Sequence, residues 1–128
     1  MTARGYLIRF ERLADEQGRK LSRIQWSIHE FSKEAAELDL EIAAEEARAG
    51  IGDPKHFAYP SYAKAAAARR DNLRRSVEQL RLQLEKVSAD HREALADLRE
   101  AELLEDGRAA EAPGREVRDE IGMGVAFG

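Results

Sequence analysis

Three histidines, a run of carboxylates and two glycine pairs are the places where this 128-residue chain has residue types suited to holding or transforming a small molecule. The histidines are His29, His56 and His91. A metal site needs several ligands converging on one face, as two histidines a helical turn apart do; these three are scattered. With zero cysteines, a thiolate metal site, a cysteine nucleophile and a disulfide framework are all excluded. Gly50-Ile51-Gly52 and Gly122-Met123-Gly124 lack the lysine and the strand-turn-helix setting of a phosphate loop. They read as a helix stop and a flexible end. Glu34, Glu37, Asp39, Glu41, Glu45 and Glu46 imitate a paired-carboxylate site, but on a helix facing basic residues such a run is an ion-pairing face. No catalytic set, metal or cofactor is expected, and the chain reads as a non-enzyme that acts by binding.

The elements that carry these residues follow from where the breakers fall. Neither glycine nor proline occurs between Gly18 and Gly50, or from Ser61 to Asp106, whereas Gly50, Gly52, Pro54 and Pro60 cluster between the two segments. In the first segment Leu7, Phe10, Ala14, Leu21, Ile24, Ile28, Phe31, Ala35, Leu38, Ile42 and Ala49 recur at alternating spacings of three and four, broken only by Gln17 and Glu45. The second repeats the pattern with Ala63, Ala66, Leu73, Val77, Leu80, Leu84, Val87, Ala94, Leu98 and Ala101, interrupted by Arg70, His91 and Glu105. Both are coiled-coil patterns. At about 1.5 Å per residue each helix would extend roughly 65–70 Å, and near-equal helices joined by a short turn predict an all-α antiparallel hairpin. The expected bounds are helix 5–49, turn 50–61 and helix 62–106, followed by a flexible or partly helical tail over 107–128.

Composition agrees with a single seam. Of the 55 hydrophobic residues 22 are alanine, too lean an interior for a layered globular domain. Lys and Arg number 21 against 25 Asp and Glu, so no overall field marks a nucleic-acid or membrane-surface protein. The N-terminus has no apolar leader and no stretch approaches the roughly 18 apolar residues of a membrane span; a soluble cytoplasmic protein is expected.

Charge patterning points to the same topology. The carboxylates of 34–46 would lie beside Lys64, Arg69, Arg70, Arg74 and Arg75, and Arg4, Arg9, Arg12, Arg19, Lys20 and Arg23 beside Asp97, Glu100, Glu102, Glu105 and Asp106. Two registers, one heptad apart, satisfy this pattern. One sets Gln17 beside His91 as a polar layer, the other sets Glu45 beside Arg70. Trp26, Leu40 and Leu82 fall outside the seam and read as an exposed partner surface, with the alternative for Trp26 of a ring shielded locally by neighbouring alkyl stems.

The stretch Leu38-Asp-Leu-Glu-Ile-Ala-Ala-Glu-Glu-Ala-Arg48 and the following Ala49–Leu73, with Gly-Ile-Gly-Asp-Pro-Lys-His-Phe-Ala-Tyr-Pro at its centre, resemble the flagellar export protein family FliJ in its alphaproteobacterial form. Arg118-Asp-Glu-Ile-Gly122 resembles the short motif that closes many such chains. The resemblance implies a coiled-coil stalk of the flagellar type III export apparatus. Its implied partners are the export ATPase ring, the export gate protein and export chaperones, and its implied place is the cytoplasmic face of the inner membrane at the flagellar basal body, held there peripherally. It implies gate contact through Tyr62, Ala66, Arg69, Arg70 and Leu73, and ring contact through Tyr6, Arg9, Arg12, Arg19, Leu103 and Leu104. The competing expectation is a general coiled-coil chaperone or adaptor for secretion substrates, using the Trp26 and Leu82 surfaces.

Overall fold

The structure, a computed structural model, describes residues 2–111. Helix α1 spans Ala3–Ala49 and helix α2 spans Ser61–Glu111; they pack against each other as an antiparallel two-helix hairpin, and no strand occurs among the described residues. The second helix therefore continues through Gly107, beyond the end expected at 106. One glycine costs a helix about 1 kcal/mol, and Ala109 and Ala110 beyond it favour continuation while no proline intervenes before Pro113. The motif Arg118–Gly122 and the rest of the expected tail beyond Glu111 lie outside the described residues.

Each helix end has a local cause. The Thr2 hydroxyl accepts the Gly5 N–H at 3.0 Å, capping one of the donors a helix N-terminus leaves unpaired. At the other end Gly50 takes φ 71°, a left-handed conformation glycine adopts without the steric penalty of a side chain. The Gly50 and Ile51 N–H groups then both reach back to the Glu46 carbonyl, at 2.8 and 3.2 Å. The helix-stop reading of Gly50 thus has a definite geometry. Helix α2 begins after Pro60, whose carbonyl accepts the Lys64 N–H at 3.1 Å.

The described residues form two compact units. The turn unit is Lys20–Val87, and the terminal unit pairs the segment up to Arg19 with the segment from Ser88 onward. In the turn unit Leu38, Ile42, Ala63 and Ala66 make a buried cluster against which Tyr59, Ala67 and Leu73 pack. Ile24, Ala35, Val77 and Val87 are buried in the same unit, and Ala14, Ala94 and Ala101 in the terminal unit. Every seam position expected from the spacing is buried or half-buried except Ala49 at the end of α1. Small residues at so many buried positions let the two backbones approach closely, since interaxial distance depends on the side chains at the contact.

The structure also decides the register. Arg70 meets Asp39, not Glu45, and Glu45 turns instead to Arg48 on its own helix. In the terminal unit, the His91 ring lies against Gly18, the neighbour of Gln17, with Nε2 3.4 Å from where a Cβ on Gly18 would stand. The Gln17–His91 register is the one adopted. Gln17 Oε1 is buried there without a hydrogen-bond partner among the described residues, a cost borne by the polar layer.

Two stability outcomes follow. Gly18→Ala adds a Cβ at ordinary contact distance from His91 and removes a helix-interior glycine, so thermal unfolding should show a gain of up to about 1 kcal/mol. Ile42→Ala, in the buried cluster, should cost about 2–4 kcal/mol, while Leu40→Ala, 73% exposed, should leave the unfolding midpoint nearly unchanged.

Candidate partner-binding surfaces

In the turn unit three arginines of α2 pair with carboxylates of α1. Arg69 of α2 binds Glu34 of α1, with Nε 2.8 Å from Oε2. Arg70 Nη1 lies 2.9 Å from Asp39 Oδ1 and Arg74 Nη2 lies 2.7 Å from Asp39 Oδ2, so one carboxylate ties two arginines across the seam. Arg70 also reaches Asp71 at 3.1 Å, and its side chain is only 23% exposed. Asp39 and Asp71 together hold the Arg70 proton more tightly than in a free guanidinium. This arginine occupies a seam position because its stem packs inside while its head finds carboxylates at the edge. The pairing expected between 34–46 and the start of α2 is present for Arg69, Arg70 and Arg74; Arg75 bonds to Asn72 instead.

Two tyrosines complete the closure near the turn. The Tyr59 hydroxyl donates to Glu46 at 2.7 Å and the Tyr62 hydroxyl donates to Glu41. In both cases the accepting carboxylate favours the protonated phenol and raises its pKa above the ordinary 10. Glu45 is held below its usual range by the hydrogen bond from Arg48.

The terminal unit is different. Arg4, Arg9, Arg12 and Arg19 of this unit form no ion pair among the described residues, and neither do Lys20 and Arg23, which belong to the turn unit; this corrects the expected pairing with the acids of 97–106. The reason is angular: Arg9, Arg12 and Arg19 fall between seam positions and project from the outer face, where they are exposed. Tyr6 stacks on Phe10, ring centroids 6.3 Å apart. Those two rings, with Ala3, Ala101 and Leu104, line a small apolar cleft edged by Asp97 and Glu100. Leu103 and Leu104 are 65% and 62% exposed.

The expected sites thus separate. Tyr6, Arg9, Arg12, Arg19, Leu103 and Leu104 all belong to the terminal unit and all present surface. Of the expected gate residues, Ala66 is buried and Leu73 packs against the core cluster, while Arg70 is engaged in the seam. Only Tyr62 and Arg69 of that set face outward. Trp26, Leu40 and Leu82 are outward too, Trp26 at 65% exposure, so the indole is not shielded by its neighbours. Sequence reasoning passed over Ile8 and Leu13 on the outer side of α1, and Phe57 in the turn. An aromatic residue between the two prolines of the turn was the available signal for Phe57. Among the described residues no three carboxylates or histidines gather in a metal-holding group, and no helix is long and apolar enough to cross a membrane. No protein-family model, curated protein or solved structure matches the chain significantly.

The tyrosine-carboxylate bonds set a pH dependence. A raised folded-state pKa contributes stability that is complete below the unfolded value of about 10 and is lost as pH rises through the folded value. Alkaline titration followed by ultraviolet absorbance should therefore show phenol ionisation above 10 that disappears stepwise in Tyr59→Phe and Tyr62→Phe, and unfolding midpoints should fall over the same alkaline range in the unaltered chain.

Proposed function

We propose that this protein is a non-enzymatic stalk and coupling factor of the flagellar type III export apparatus, joining the export ATPase ring to the export gate. The observation that carries the reading is the contrast in how the two units treat their charges. The turn unit pairs Arg69, Arg70 and Arg74 across its own seam. In the terminal unit Arg9, Arg12 and Arg19 are exposed, form no ion pair among the described residues and line a shallow groove with Ile8 and Leu13, while Tyr6 and Leu104 line a separate cleft. An unpaired basic face with exposed aromatic and aliphatic residues is what a partner with acidic and apolar surface would grip, and the ATPase ring is the partner we assign to it. The gate contact is assigned to Tyr62 and Arg69, the members of the family-like segment that remain outward. Export chaperones would share the outer surfaces, and the whole would sit peripherally at the cytoplasmic face of the inner membrane, at the flagellar basal body.

Trp26 and Leu82 favour a second reading, a coiled-coil adaptor that holds secretion substrates on exposed apolar positions. Recovery of many unfolded clients without the ATPase would support it over the stalk.

Co-purification with the export ATPase decides the first reading. The unaltered chain should retain the ATPase, and Arg9→Glu with Arg12→Glu should weaken retention about tenfold or more without lowering the unfolding midpoint. A deletion strain should lose filament export while its purified ATPase still hydrolyses ATP; normal motility in that strain would sink the proposal.

A further inference from the structure

The terminal unit holds an apolar cleft that the two helices leave open. Tyr6 and Phe10 of α1, with Ala3, Ala101 and Leu104, form its walls, and Asp97 and Glu100 stand at its edge. Tyr6 is 44% and Leu104 62% exposed, although covering such side chains is favourable. The shallow groove on the outer side of α1 is a poorer place for an apolar ligand, because Arg9, Arg12, Asp15, Glu16 and Arg19 all line it.

This chain carries a segment that fits the cleft, and the segment leaves the hairpin at the same end. Beyond Glu111 the sequence runs Ala112-Pro-Gly-Arg-Glu-Val-Arg-Asp-Glu-Ile-Gly-Met-Gly-Val-Ala-Phe-Gly128. Residues 115–120 carry both signs of charge and gain nothing net from the acidic edge. Ile121, Met123, Val125 and Phe127, separated by glycine and alanine, form a stretch with no charge at all. Such a stretch enters beside Asp97 and Glu100 without like-charge repulsion, and Phe127 brings a third ring to Tyr6 and Phe10. Pro113 and Gly114 follow the end of α2 directly, and these are residue types that reverse a chain. Reach is ample: Ile121 lies up to roughly 33 Å of chain from Glu111, whereas Leu104 is only about 10 Å back along α2. A tether this short holds the stretch at an effective concentration on the order of millimolar. A second copy of the chain has no such advantage and must also offset the entropy of association.

We infer that residues 121–127 fold back onto the terminal unit and dock in the cleft between Tyr6, Phe10 and Leu104. Because Tyr6 and Leu104 belong to the proposed ring contact, docking would compete with the ATPase. That competition rests on the proposed function; the docking itself does not.

The chain has no cysteine, so Gly128→Cys gives a single attachment point for a nitroxide, whose paramagnetic broadening is read by NMR on the full isotope-labelled chain. Signals of Tyr6, Phe10 and Leu104 should broaden, and those of Leu40 and Leu82 should not. Ile121→Asp with Phe127→Asp should remove the broadening, as should Leu104→Asp, whereas Ile8→Asp with Leu13→Asp should leave it. Broadening that survives Ile121→Asp with Phe127→Asp would show proximity from the tether alone and overturn the docking. Dependence on Ile8 and Leu13 instead of Leu104 would move the segment to the groove and overturn the cleft. Mixing isotope-labelled chain without nitroxide and nitroxide-bearing chain without isotope should give no broadening; broadening there would assign the cleft to a second copy and overturn the contact within one chain. In co-purification, Ile121→Asp with Phe127→Asp should retain the export ATPase severalfold more strongly than the unaltered chain. Equal retention would overturn the competition, and absence of ATPase binding by both would overturn the ring contact while leaving the docking standing.

Discussion

A pair of helices has a single seam, and every other property of this protein depends on how that seam closes. Two positions in seven must be apolar or small, and the alternating three and four spacing supplies them along both helices. With alanine at Ala14, Ala35, Ala63, Ala66, Ala94 and Ala101 the buried residues contribute less transfer energy than leucine would. They compensate by allowing close backbone approach, and close approach brings the flanking side chains of opposite helices within reach of one another. Each exposed ion pair of the turn unit contributes only about 0–1 kcal/mol, so the weight of these pairs lies in selecting the register.

Register selection is where polar groups in the seam have their effect. In registers one heptad apart Arg70 would face Glu45 or the neighbourhood of Leu38 and Asp39; it meets Asp39, with Arg74 joining the same carboxylate. That leaves Glu45 to Arg48 on its own helix; in the terminal unit the His91 ring lies against Gly18. The Gln17 oxygen left buried and unpaired is an energetic penalty in the chosen arrangement. A single polar residue in a coiled-coil core exchanges stability for a defined register in the same way.

Because the seam takes so few residues, most of the chain is surface, and binding is decided by which surface charges the hairpin leaves uncommitted. Near the turn Glu34 and Asp39 pair with arginines of α2, Glu41 and Glu46 accept phenol hydrogen bonds while keeping their charge, and Lys55 and Lys64 form no ion pair among the described residues. In the terminal unit Arg4, Arg9, Arg12 and Arg19 are exposed and form no ion pair among the described residues. The proposed ring contact draws on residues that form no ion pair within the hairpin, whereas Tyr62 and Arg69 of the proposed gate contact also bind Glu41 and Glu34.

The seam, the antiparallel topology and the helix stop at Gly50 were legible in the sequence, because they depend on local periodicity and on backbone preferences that neighbouring residues impose. Charge blocks foretold that α1 and α2 pair near the turn, yet misplaced Arg4, Arg9, Arg12 and Arg19, since a block of like charge says nothing about the angle at which each side chain leaves the helix. Tertiary structure alone decided the register, the burial of Ala66 and Leu73 within the family-like segment, and the exposure of Phe57. Each of those turns on which residue of the other helix, or of the turn, stands opposite, a relation between distant positions that spacing along one chain does not contain.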